Sequence, residues 1–248
     1  MLKMDVNKNS YTFLFAFVLV VVVAALLSFA ATALKPAQQE NIRLEKMQSI
    51  LSSINEKVDR NAAGEVYAQF IVEEVVVRNG KPVSGVKAFD IDLAKELDKA
   101  PEERNAPLYV AEKDGQRFYI IPVRGKGLWG PIWGYLSLED DANTVYGATF
   151  DHKSETPGLG AEINTEDFTK QFKDKKMLMA NGEFTGIKVT KKAAVGEHQV
   201  DGISGGTITS VGVEDMITDC MQSYIPYLKE TANIAFRGSA QKELATLD

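Results

Sequence analysis

The chain has 248 residues, 45% of them hydrophobic and 25% charged, with a formal net charge of −6. Its apolar residues are concentrated at one end: no charge occurs from Tyr11 to Leu34, where only Thr12, Ser28 and Thr32 are polar. That concentration excludes a plain soluble enzyme, and the lack of a second such stretch excludes a multi-span transporter.

The first predicted element is a membrane span over about 11–34, within an anchor segment 1–35. A helix of these 24 residues is about 36 Å long, enough to cross a hydrocarbon core of ~30 Å. Ala31-Thr32-Ala33 offers an A-x-A-like cleavage site, but signal-peptide apolar cores run to only about 7–15 residues. A retained anchor is therefore expected. Lys3 and Lys8 precede the span and Lys35, Arg43 and Lys46 follow it, so the positive-inside count leaves orientation undecided. Residues 36–248 carry 25 Lys and Arg against 33 Asp and Glu. An acidic body without a basic cluster argues against nucleic acid as a partner and against attachment to anionic lipid by surface charge.

Segment 36–63 reads as a stalk or packing helix. Ile42, Met47, Ile50, Leu51, Ile54 and Val58 recur at three- and four-residue steps, and Asn61-Ala62-Ala63-Gly64 ends the pattern. From residue 64 to 248 the chain reads as one α+β domain with an antiparallel-rich sheet and flanking helices. Val66–Val77 is predicted as a strand closed by Asn79-Gly80, and Asp92–Lys99 as a helix. Leu108–Ala111 and Arg117–Val123 flank the hairpin signal Asp114-Gly115; Ile132–Leu138 and Val145–Phe150 form the next pair around the polar turn Glu139–Asn143. Helices are expected over Glu166–Lys173 and from about Ser210 to Tyr224, where Pro226 ends or kinks the last one. Cys220, the one cysteine, shares a helical spacing with Met216, Ile217, Met221 and Tyr224 and reads as a small buried hydrophobe. His152 and His198 lack partners at metal-ligand spacing, so no metal site is expected.

Three segments carry candidate chemistry. Gly125–Tyr135 holds both tryptophans among glycines; Trp129 suits a wall for a flat aromatic ligand, whereas Trp133 reads as a core residue at a strand start. Glu155-Thr156-Pro157-Gly158-Leu159-Gly160-Ala161 is a tight loop, whose backbone amides either bind a ligand or serve only the turn. Asp201-Gly202-Ile203-Ser204-Gly205-Gly206-Thr207-Ile208-Thr209-Ser210 precedes the long helix. Its glycines permit close backbone approach, its hydroxyls add donors, and a helix start favours a phosphate. The alternative is a flexible turn followed by an ordinary cap at Thr209 or Ser210. The lysine of a P-loop and the strand-turn-helix of a dinucleotide fingerprint are both missing.

In order and wording, these segments and the short anchor resemble the FMN-binding domain of the C-subunit family of Na⁺-translocating NADH:quinone reductases. The resemblance covers most of the chain after residue 60. In that family a threonine closing an S/T-G-A-T signature carries FMN through a phosphoester. Ser204-Gly205-Gly206-Thr207 matches it, with Gly206 where the family usually has alanine. The resemblance implies covalent FMN on Thr207, with Ser204, Gly205, Gly206 and Thr209 around the attachment point. It also implies the ring reaching toward Trp129, Glu155, Thr156, Gly158 and Leu159. No catalytic residue is expected in the chain itself. A weakly nucleophilic hydroxyl with no histidine beside it argues against self-flavinylation, and the resemblance implies a separate Mg²⁺-dependent flavin transferase. The family picture adds other subunits of a membrane redox complex, a bilayer-embedded helix, a cytoplasmic N-terminus and a periplasmic domain at the bacterial inner membrane. Two other readings stay open at this point: the G-subunit of the related Rnf ferredoxin:NAD⁺ oxidoreductase, which shares the anchor and the threonine motif, and a non-redox anchored binding or assembly domain.

Overall fold

The computed structural model describes residues 9–191 and 193–231. Within it the chain divides between Lys46 and Met47 into two compact units. The first is the N-terminal part of helix α1 (Asn9–Ser53), whose apolar stretch is long enough to cross a membrane and is not buried. Pro36 lies inside α1 rather than at a boundary. The helix simply continues past it, at the cost of one ladder hydrogen bond.

The second unit begins with the end of α1. Met47, Ile50, Leu51 and Ser53 are buried, and the helix stops at Ser53, short of the expected Val58. Helix α2 (Ala63–Phe70) follows. It occupies the first part of the segment predicted as a strand, because Ala63, Glu65, Ala68 and Gln69 favour a helix and Val66 is its only β-branched residue. The strand proper is β1 (Ile71–Arg78), paired with the two-residue β2 (Lys81–Pro82) across Asn79-Gly80. Helix α3 (Leu93–Leu97) is shorter than predicted and is capped by Asp92, which accepts the Ala94 N–H at 3.2 Å.

Strands β3 (Ala106–Lys113), β4 (Gln116–Lys126), β5 (Pro131–Leu138) and β6 (Val145–His152) complete one antiparallel sheet of order β2-β1-β3-β4-β5-β6. Asp114 and Gly115, with φ of 52° and 77°, make the β3–β4 turn as the sequence predicted. Helix α4 (Glu166–Thr169) tightens into a 3₁₀ turn over Lys170–Phe172. Two three-residue strands that periodicity did not reveal, β7 (Lys188–Thr190) and β8 (Gln199–Asp201), pair in parallel as a separate ribbon.

Helix α5 (Thr207–Gln222) lies across the sheet with Val213, Met216, Ile217, Cys220 and Met221 buried against it. The approach is close because two glycines allow it. A Cβ at Gly125 would stand 2.7 Å from that of Met216, and one at Gly212 would stand 2.5 Å from the Lys126 carbonyl oxygen. At the far end Ser223 and Tyr224 form a turn, and Pro226 lies in the helical residues 225–231 that follow. The end of α1 covers the opposite face of the sheet. Ser137, whose neighbour Leu136 belongs to the α5-side core, donates its hydroxyl to the Ser53 carbonyl. Thr149 Oγ1 reaches Ser49 O at 3.3 Å, and Lys113 pairs with Glu56 at 2.6 Å while also donating to Ile54 O.

Candidate flavin site

The three segments singled out by sequence converge at the N-terminal end of α5. The first is the turn between β4 and β5, closed by Gly127 N–H donating to Gly130 O at 2.8 Å. It projects Trp129, which is 64% exposed. Trp133, by contrast, is half-buried on β5. The second is the loop after β6. There Leu159 and Ala161 N–H both donate to Thr156 O, Gly158 takes a φ of 75°, and its N–H donates to Glu162 Oε1 at 2.9 Å. The third is the turn into α5, where Gly205 has a φ of 75° and Gly206 N–H donates to Ile203 O.

Helix α5 starts three residues earlier than the sequence suggested, with Gly206 at the cap position and no side-chain cap. Thr209 and Ser210 are therefore not caps. Both are buried in the first turn with their hydroxyls engaged: Thr209 donates to Glu155 Oε2 at 2.6 Å, and Ser210 donates to Gly206 O while accepting the Ile203 N–H. Thr207 is the first residue of the helix and is half-buried. Among the described residues its hydroxyl has no hydrogen-bond partner. Helix geometry also leaves the N–H groups of Thr207, Ile208 and Thr209 without an intrahelical acceptor. A free hydroxyl beside three free amides at a positive helix end suits a phosphoester.

Two clefts open on this point. One, of about 380 Å³, is lined by Leu128, Trp129, Glu155, Thr156, Leu159, Gly160, Gly205, Gly206, Thr207, Ile208 and Thr209. The other, of about 270 Å³, is lined among others by Val189, Thr190, Lys191, Gly202, Ser204 and Thr207. Thr207 and Gly205 line both. Eight of the ten residues expected at the site thus share the larger cleft. Ser204 is exposed and lines the smaller one, and Gly158 serves the loop turn. Leu128, Gly160 and Ile208 were missed although they adjoin predicted residues. The wall Val189–Lys191 was missed because a three-residue strand carries too little pattern.

These features fit FMN: a threonine hydroxyl with no hydrogen-bond partner among the described residues, an amide-rich helix start, and an apolar-sided cleft within the usual size range for small-ligand sites. Among the described residues no cluster of His, Cys, Asp or Glu suits a metal ion.

Residues 127–222, which take in the first segment from Gly127 on and the whole of the other two, match the FMN-binding domain family. Over 255 residues the chain is 31% identical to the C subunit of the Na⁺-translocating NADH-quinone reductase of Haemophilus ducreyi, covering 94% of this chain and 99% of that relative. The chain belongs to this C-subunit family. The corresponding C subunit of Pseudomonas aeruginosa is 34% identical and covers 85% of this chain and 90% of its own. The crystal structure of the C subunit from Parabacteroides distasonis superposes with a TM-score of 0.73 at 44% identity, covering 79% of this chain and 96% of that one. NqrC of Shewanella oneidensis, at 24% identity and a TM-score of 0.63, shares the fold. Membership in the C-subunit family decides against the Rnf G-subunit reading.

Proposed function

We propose that this chain carries FMN covalently on Thr207 through a phosphoester and relays electrons within a Na⁺-translocating NADH:quinone reductase complex. The observation that carries the reading is the Thr207 hydroxyl, half-buried, unpartnered among the described residues, at the first position of α5 and open to both clefts. The other hydroxyls of the segment compete poorly. Thr209 and Ser210 are buried and engaged, and Ser204 stands exposed outside the larger cleft.

When attached, the flavin supplies the redox chemistry; the chain supplies position and environment. The N–H groups at the start of α5 would hold the phosphoester oxygens, and Gly205 and Gly206 let the backbone come close to them. The exposed side chains of Leu128, Trp129, Leu159 and Ile208 would give the ring an apolar surround and keep water from its faces. No side chain accepts the Thr207 hydroxyl proton among the described residues, which supports attachment by a separate flavin transferase rather than by the chain itself.

Helix α1 would cross the bacterial inner membrane once, with the N-terminus cytoplasmic and the flavin domain periplasmic, among the other subunits. A tethered flavin cannot diffuse away, which suits relay between fixed centres, and NADH oxidation belongs elsewhere in the complex. Intact-mass measurement of the full chain, co-produced with a flavin transferase, tests the reading. It should give the complete chain plus one FMN less water; a complete chain without flavin contradicts it.

A further inference from the structure

Glu155 is 5% exposed, yet among the described residues it forms no ion pair. Oε1 accepts the Trp129 N–H at 2.8 Å and Oε2 accepts the Thr209 hydroxyl at 2.6 Å. Its own N–H donates to His152 Nδ1 at 3.2 Å. The carboxylate thus joins the β4–β5 turn, the loop after β6 and the first turn of α5, the three segments that form the larger cleft.

Two glycines make room for it. A Cβ at Gly127 would stand 2.5 Å from Oε1, and one at Gly160 would stand 2.6 Å from Thr209 Oγ1 and against Oε2. A buried carboxylate without a cation is costly, and neutral donors offset only part of the loss of water. Simple cross-linking of three loops needs no charge, since an amide in the same place accepts and donates equally well. The charge itself therefore calls for a role.

We propose that Glu155 is a positioning residue that also acts as a fixed negative charge on the wall of the flavin cleft, holding down the reduction potential of the flavin. The inference rests on the reading of Thr207 as the attachment site. A negative charge in a water-poor wall opposes each electron added to the occupant of the cleft. The Thr209 hydroxyl partly offsets that charge, so Thr209 and Glu155 act on the potential in opposite senses.

Redox titration of the full-length holoprotein tests this, with dithionite as electron donor, mediator dyes, and protons drawn from the buffer. Wild type, Glu155→Gln and Thr209→Val are compared, and covalent flavin is first confirmed by fluorescence in a denaturing gel. Glu155→Gln keeps the shape and the Trp129 acceptor but removes the charge. It should raise the potential enough to shift the oxidised-to-reduced equilibrium at least about tenfold, or about 30 mV for a two-electron couple. Thr209→Val leaves the charge less compensated and should lower the potential. Equal potentials, or shifts in the same direction, overturn the proposal. If Glu155→Gln does not retain flavin, a Thr209→Val potential at or above wild type overturns it alone. Absence of flavin from the wild-type chain overturns the Thr207 reading instead.

Discussion

A domain beginning at Met47 should fold, whereas one beginning at Asn55 should not. Met47, Ile50 and Leu51 at the end of α1 and Ile54 just after it are 5%, 0%, 0% and 0% exposed. Burying four such side chains is worth about 1.5–3 kcal/mol each, or about 6–12 kcal/mol together, an upper range because the unfolded chain already buries some surface. Deletion also strips Ser137 of its acceptor at Ser53 and Thr149 of its acceptor at Ser49. Each such hydrogen bond contributes about 1 kcal/mol, more where a buried group is left unpaired. Total stabilities of domains are about 5–15 kcal/mol, so the loss rivals the whole. Thermal unfolding of chains starting at Met47 and at Asn55, followed by circular dichroism, makes the comparison. The first should give a cooperative transition and the second no transition or one far lower. Equal midpoints would refute the claim that residues 47–54 belong to the domain core.

Three further outcomes follow from packing and charge. Gly125→Ala should lower stability by about 1–3 kcal/mol in urea titration, since its Cβ would meet Met216 at 2.7 Å and push α5 off the sheet. A change below about 0.3 kcal/mol counts against that contact. Arg104, 6% exposed, donates to the half-exposed Asp219 at 3.0 Å and to the carbonyls of Lys99 and Leu97, so Arg104→Ala should cost about 1.5–3 kcal/mol through lost charge-assisted hydrogen bonds. An unchanged urea midpoint would contradict it. Burial pushes the Cys220 thiol up to about 12. The group stays protonated far above neutral pH, so iodoacetamide at about pH 8 should label it only after unfolding, by mass spectrometry; fast labelling of the native protein would contradict that.

What the sequence revealed follows from which interactions are local. The β3–β4 hairpin was legible because Asp114 and Gly115 both take positive φ, a demand few residue pairs meet. The antiparallel strands were legible from short apolar and aromatic runs between turn signals, although β4 extends through Arg124, Gly125 and Lys126, residues without strand character of their own. Val66 and Tyr67 misled because Tyr67 is placed by contacts distant in sequence, edge-on to Phe89 and Tyr109. The start of α5 was misplaced because Thr209 and Ser210 have the chemistry of caps, whereas the fold assigns Thr209 to Glu155. Glu155 was legible as a candidate residue of the cleft, but its place in the hydrogen bonding was not. That depends on Trp129 and Thr209, 26 and 54 positions away.

The central claim is the attachment of flavin to Thr207. Wild type, Thr207→Ala and Ser204→Ala, each co-produced with a flavin transferase, can be run on a denaturing gel under ultraviolet light. Flavin fluorescence should travel with the wild-type and Ser204→Ala chains and be lost from Thr207→Ala; fluorescence retained by Thr207→Ala would contradict the account.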